Sequence, residues 1–355
     1  DFSALQNSAA KVLTKFNALE SNKILPDLLK GLKDIRKIRL KIYGLFNGEG
    51  KNYGEADFLL EKKAREFTEA IQKLSGIRIN ALADKETVAP GENFLASVKI
   101  FFPNAENAKV KEIALKTPNG WTISKTEEPK DANQNPFQRE AGNDSAYFDV
   151  KISPNAKPTQ PYFLEDERGD GYLYAWKKDS NQILPFQTPI VSALVKIEIE
   201  GTEITINQPV EFRFADLIRG EIRRELNIVP AFSVSLDQNL LIIPQSEKEQ
   251  TRKITLIVKN NSSLIRSGSA ELILPKGWRA KQNFGILQTK NKGENTSFDF
   301  DVIIPANTKS GSYKIEAVVK IGEETFNQTT NTIAYPHIQT HRFYTRAETK
   351  VNVFD

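Results

Sequence analysis

The 355-residue chain has no cysteine, no methionine and only two histidines, His337 and His341. The lack of cysteine excludes thiol nucleophiles, disulfides and Cys-type zinc sites together, and it is compatible with a reducing or an oxidising compartment. Charge of one sign is also lacking: 49 Lys+Arg against 45 Asp+Glu leave a net charge of +4, too mild to imply a nucleic-acid or acidic-lipid partner. No uninterrupted apolar run approaches the length of a membrane-spanning helix. Methionine is missing even at position 1, and the chain opens on Asp1-Phe2-Ser3 with no basic or apolar leader. It ends on the alternating stretch Val351-Asn352-Val353-Phe354-Asp355. The expectation is a fragment or processed product with more protein on both sides.

What the chain does contain is a repetition. Pro118-Asn119-Gly120-Trp121 returns as Pro275-Lys276-Gly277-Trp278, and Phe148-Asp149-Val150 returns as Phe300-Asp301-Val302. Ile152, Asn155 and Lys157 then answer Ile304, Asn307 and Lys309 in register, while the Trp-to-Phe segment is longer in the first copy. Fixed order with one loop insertion is how a duplicated domain reads. In each copy Pro and Gly make a tight turn and the tryptophan starts the next strand with its ring inward. Trp121, Trp278, Phe148 and Phe300 are therefore the expected core markers.

The length accommodates two or three domains, and 39% hydrophobic with 26% charged residues suits a folded protein. Residues 1–80 read as helical. Phe2, Leu5, Val12, Leu13, Phe16 and Leu19 keep a 3-4 spacing, as do Ile35, Ile38, Ile42 and Leu45, and then Leu60, Phe67, Ile71 and Leu74. Three such helices carry too few apolar positions for a large core of their own, so one face should pack on a neighbouring domain. From Ile79 the period becomes two, with Phe94, Ala96, Val98 and Ile100 alternating after the turn Val88-Ala89-Pro90-Gly91-Glu92. The fold class is mainly β with an N-terminal helical segment: a three-helix lead-in followed by two tandem immunoglobulin-like β-sandwiches. The boundaries are 1–80 for the helical collar, 81–229 for the first sandwich, 230–338 for the second, and 339–355 for a linker or the start of a further domain.

Candidate chemistry is sparse. His337 and His341 are spaced i, i+4 as in helical zinc motifs, but Ile338 stands where a glutamate should follow the first histidine, and Tyr335-Pro336 disfavours a helix. Gly44 to Asn52 has its glycines misplaced for a P-loop and reads as an interhelical turn. Glu165-Asp166-Glu167-Arg168-Gly169-Asp170-Gly171 is an acidic turn without EF-hand spacing. Asp144-Ser145-Ala146, in a polar loop, resembles a short bacterial O-glycosylation acceptor. An insertion at about 158–190 gathers Tyr162, Phe163, Tyr172, Tyr174 and Trp176. These five aromatics could stack on sugar rings, pack on an adjoining domain or fill their own core, and the interdomain reading leads.

The order of these elements resembles the region that follows the catalytic domain in large bacterial PIG-L (LmbE-like) deacetylases. The resemblance rests on Gly76-Ile77-Arg78-Ile79, Val88-Ala89-Pro90-Gly91-Glu92, Gln160-Pro161-Tyr162-Phe163-Leu164-Glu165, Arg219-Gly220-Glu221-Ile222-Arg223 and Tyr335-Pro336-His337-Ile338. The second sandwich also looks like the Ig-like module associated with α-galactosidases and other exported glycan enzymes. The resemblance implies a non-catalytic scaffold. Its partner would be an adjoining catalytic domain of the same polypeptide, with glycan as a second partner, in the periplasm or at the cell surface. Zinc is expected only in the missing catalytic domain, whose His-Pro-x-Asp-Asp motif this chain lacks, so no catalytic or metal residue and no cofactor is assigned here. The alternative is a stand-alone surface glycan-binding or adhesion module with the five aromatics as platform. An enzyme built on a carboxylate pair such as Glu165 and Asp170 ranks last.

Overall fold

The computed structural model describes residues 2–46, 51–102, 108–128, 142–165 and 187–355. Three helices lead: α1 (Phe2–Lys15), α2 (Leu25–Phe46) and α3 (Lys51–Leu74), with a 3-10 segment Ala18–Ile24 joining the first two. Asn17 caps that segment, its side-chain oxygen accepting from the Leu19 N–H at 3.0 Å. Pro26 sits in the first turn of α2, where a missing N–H costs nothing. The α3 terminus is closed by paired bonds, Gly76 N–H to the Lys73 carbonyl and Ile77 N–H to the Gln72 carbonyl, the Schellman arrangement that turns the chain into its first strand.

The inner stripe of the helices does not form a core by itself. Leu28, Leu29 and Leu32 of α2 and Ile71 of α3 join the apolar core of the first sandwich, while Ile35, Ile38 and Leu60 make a small cluster between the helices. Arg36 ties α2 to the same sandwich by donating to the Glu203 carbonyl at 2.7 Å. The expected stripe of α1 is corrected in part. Leu5 and Val12 are half-buried, but Leu13, Phe16 and Leu19 are 79%, 55% and 95% exposed.

The first sandwich packs a six-stranded sheet on a three-stranded one. The larger runs Gly220–Glu225, Glu211–Asp216, Arg78–Ala83, Asn93–Phe101, Asp144–Lys151, Thr122–Thr126 in spatial order. The smaller is an antiparallel meander of Ala108–Lys116, Ser192–Ile199 and Thr202–Pro209. Their inner faces bury Phe94, Ala96, Val98, Ile100, Phe148 and Val150 against Val195, Ile197, Ile204 and Ile206, the alternation expected of strands covered on one face. Ser145 and Ala146 fall not in a loop but at the start of a strand, opposite Lys99 and Val98.

In the second sandwich, Phe232–Leu236, Gln250–Asn260, Asn295–Ile304 and Arg279–Ala280 form one sheet. The facing sheet runs Leu240–Pro244, Glu348–Phe354, Gly311–Ile321, Ser267–Ile273, Phe284–Gln288, with Glu324–Phe326 also paired to Gly311–Ile321. Residues 339–355 are thus neither a linker nor the start of a further domain. Glu348–Phe354 pairs parallel with Leu240–Pro244 and antiparallel with Gly311–Glu316, Val351 joins the core and Val353 is buried beside it on the same face of the strand. The alternation at the chain end belongs to a strand that this sandwich needs.

The Pro-x-Gly-Trp turn has the same backbone shape at both places, with Gly120 at φ +81° and Gly277 at φ +86°, a left-handed conformation that disfavours a side chain. Trp278 is buried and tilted on Tyr313 at 5.3 Å between ring centroids. Trp121 is half-buried and meets Phe94 edge-on at 6.4 Å. Phe148 and Phe300 are both fully inside.

Candidate functional site

The sandwiches meet along a polar seam built from the turn at 88–92. Glu92 is 6% exposed. Its carboxylate accepts from the Ala89 N–H at 3.0 Å, the Ser262 hydroxyl at 3.1 Å and the Ser263 N–H. Burial opposes its charge, yet the N–H donors of Ala89 and Ser263, with Lys292 at 3.7 Å, hold the carboxyl below the usual glutamate range. Lys292 also donates to the Thr87 carbonyl at 2.9 Å, and its own burial pulls its amine below the usual lysine range against the attraction of Glu92. Nearby, Glu86 takes a forked pair from Arg224 at 3.1 and 3.2 Å and a short contact from Arg342. A first-sandwich turn is therefore locked by donors from the second.

Beside this seam lies an open groove of about 950 Å³. One wall is the hairpin Glu211–Asp216/Gly220–Glu225. The other is the loop 334–340 between the strands Gln328–Ile333 and His341–Arg346. The hairpin tip is preorganised by Asp216, which accepts from the N–H groups of Ile218 and Arg219 at 3.0 and 2.8 Å. Strand alternation puts Glu221, Arg223 and Glu225 on one face. Arg223 is engaged, 2.8 Å from Glu221 and 3.5 Å from Glu211, and Arg219 lies 3.2 Å from Asp216. Glu225 stands directly across the ladder from Glu211, and no donor among the described residues reaches its carboxylate. Burial, then the Glu211 charge, push its carboxyl above the usual range. On the opposite wall Tyr335, 61% exposed, stacks on His337 at 5.9 Å and 19°.

The sequence-derived candidates are distributed differently. Tyr162 and Phe163 are half-buried in the short turn Tyr162–Leu164, edge to face at 5.4 Å. Tyr172, Tyr174, Trp176 and Asp170 lie outside the described residues, and Glu165 is exposed. His337 belongs to a turn and His341 opens a strand, so no helix presents them together. Among the described residues no group of three or more His, Asp and Glu could hold a metal ion, and no described helix is long and apolar enough to cross a membrane. The groove was missed because its walls come from residues more than a hundred positions apart. The available signals were Arg219-Gly220-Glu221-Ile222-Arg223 and Tyr335-Pro336-His337-Ile338, each marked in the sequence for its resemblance, with nothing there to show that they face each other.

Residues 246–322, within the second sandwich, match the family model described as the NPCBM-associated NEW3 domain of alpha-galactosidase. This segment is thus similar to an accessory, carbohydrate-associated module, as the sequence reading of the second sandwich expected. The match does not extend to the region carrying most of the deacetylase resemblance. No curated protein sequence matches the chain. Among solved structures, native α2-macroglobulin of Escherichia coli is 12% identical, covering 78% of this chain and 17% of its own, at a TM-score of 0.25. The E. coli adhesin FdeC is 10% identical, covering 79% and 64%, at 0.21. The Caenorhabditis elegans MSP-family protein WR4 is 10% identical, covering 34% and 97%, at 0.21. The chain spans 16–17% of the length of the two α2-macroglobulin structures that head these matches.

Proposed function

We propose that this chain is a non-catalytic accessory region of a carbohydrate-active protein, and more narrowly the region that follows the catalytic domain of an exported PIG-L (LmbE-like) N-deacetylase. The carrying observation is the alpha-galactosidase-associated module in the second sandwich. The helical segment supports a bracing role. Its inner stripe is committed to the first sandwich, while Leu13 of α1, Phe16 just beyond it, Leu40 and Tyr43 of α2 and Phe58 and Leu59 of α3 stay exposed, apolar side chains that a neighbouring domain would cover. The adjoining catalytic domain is the neighbour in this reading. Zinc and the groups that activate water belong there, and this chain holds the domain against two sandwiches locked at the Glu86 and Glu92 seam. The two sandwiches descend, in the same reading, from one duplicated module.

The test is an acetate-release assay of the purified chain on N-acetylglucosamine oligosaccharides, with and without added zinc. No release is expected under either condition, and zinc-dependent release from this chain would overturn the accessory role. The second reading, a stand-alone glycan-binding or adhesion module, is favoured by one feature, the groove with its exposed Tyr335 at the sandwich junction.

A further inference from the structure

We propose that the groove between the hairpin Glu211–Asp216/Gly220–Glu225 and the loop 334–340 is a binding site for amino-sugar units of a glycan, with the Glu225 carboxylate receiving the sugar ammonium and Tyr335 stacking on the ring. This rests on the carbohydrate-associated reading for its ligand class and not on the deacetylase parentage.

The groove is large enough for a short oligosaccharide, at about 950 Å³, and is open to solvent. Its arginines are already engaged. Arg219 and Arg223 face Asp216, Glu221 and Glu211, and Arg224 forks onto Glu86. An anionic sugar would have to break these pairs, which disfavours uronates and sulfated chains. The group left over is a carboxylate. Glu225 is half-buried, faces Glu211 across the ladder and receives no hydrogen bond among the described residues. A half-buried acceptor in this condition is stabilised by any donor that reaches it, and most by a charged one. An ammonium satisfies Glu225 and relieves its repulsion with Glu211, whereas an acetamido group at the same place offers a single neutral N–H. The stacked Tyr335 and His337 present an exposed aromatic face on the opposite wall. Such a face suits the C–H side of a pyranose ring and also attracts a cation.

Titration of the purified chain with the hexasaccharides of glucosamine and of N-acetylglucosamine, followed by calorimetry, tests this, with hexalysine as a cation lacking rings. The glucosamine oligomer should bind about tenfold or more tightly than the acetylated one, the difference expected for one charge-assisted hydrogen bond, and hexalysine, which can reach Glu225 but has no ring for Tyr335, should bind more weakly than the glucosamine oligomer. Glu225→Gln should abolish the preference while leaving a residual affinity, and Tyr335→Ala should weaken both sugars. Thermal unfolding controls for folding, and Glu225→Gln should unfold no earlier than wild type at neutral pH. Absence of binding, a preference for the acetylated oligomer, equal binding of hexalysine, or affinities indifferent to both substitutions would each overturn the site. If the site fails while the natural polypeptide proves to be a deacetylase, only this inference falls. If binding holds and no hydrolase is attached, only the parentage falls.

Discussion

The two sandwiches carry the same tight turn and finish their cores in different ways. Gly120 and Gly277 share a left-handed backbone and each delivers a tryptophan, yet Trp278 is sealed against Tyr313 and Trp121 stays half-exposed at the edge of Phe94. The second sandwich closes itself with its own last strand, Glu348–Phe354, inserted between Leu240–Pro244 and Gly311–Ile321. The first borrows apolar side chains from α2 and α3. A shared turn therefore fixes where a ring enters, while the surrounding elements decide how much that ring contributes.

Four experiments sharpen or break this contrast. Trp278→Ala should destabilise the second sandwich by about 3–5 kcal/mol, the usual range for a buried large aromatic, and Trp121→Ala should cost the first clearly less; equal losses in chemical denaturation would erase the distinction. Leu32→Ala should remove about 2–5 kcal/mol from the first sandwich although the residue lies on a helix, whereas Phe16→Ser should leave stability within about 0.5 kcal/mol. Calorimetry that reported a separate helical transition would contradict the shared core. Glu92→Gln should weaken the coupling between sandwiches by about 1–3 kcal/mol and split one unfolding transition into two. A carboxyl held below its unfolded-state range contributes stability that is complete above that range and fades as pH falls through the folded value, so wild type should lose stability in acid more steeply than Glu92→Gln. The smallest effect belongs to Glu225. Its carboxyl is raised, so its ionisation costs stability as pH rises through the folded value, and Glu225→Gln should flatten the decline toward neutral pH. An unchanged profile would show that Glu225 is solvated like an ordinary surface glutamate.

Much of the fold was readable because its periods are local. The strands Asn93–Phe101, Asn295–Ile304 and Gly311–Ile321 announce themselves by alternation, and α2 and α3 by their inner stripes. The first helical stripe misled because α1 stops at Lys15, before Phe16 and Leu19, and because periodicity reports an apolar face and not what covers it: Leu13, Phe16 and Leu19 are all exposed. Glu348–Phe354 was legible as a strand but not as a strand of this sandwich, since its parallel partner Leu240–Pro244 lies a hundred residues earlier and no turn joins them. The site was least legible. Glu225 becomes distinctive only when the ladder sets it opposite Glu211 and the fold brings Tyr335 across the groove. The aromatic insertion that drew attention in the sequence places Tyr162 and Phe163 half-buried in a short turn.

In the proposed reading this region serves a glycan-directed zinc hydrolase rather than acting alone. Intact mass and peptide mapping of the polypeptide isolated from its natural source test it most directly. A longer chain in which a His-Pro-x-Asp-Asp zinc motif precedes Asp1 is the expected result. A natural polypeptide carrying no such domain would contradict it and leave a glycan-binding module in its place.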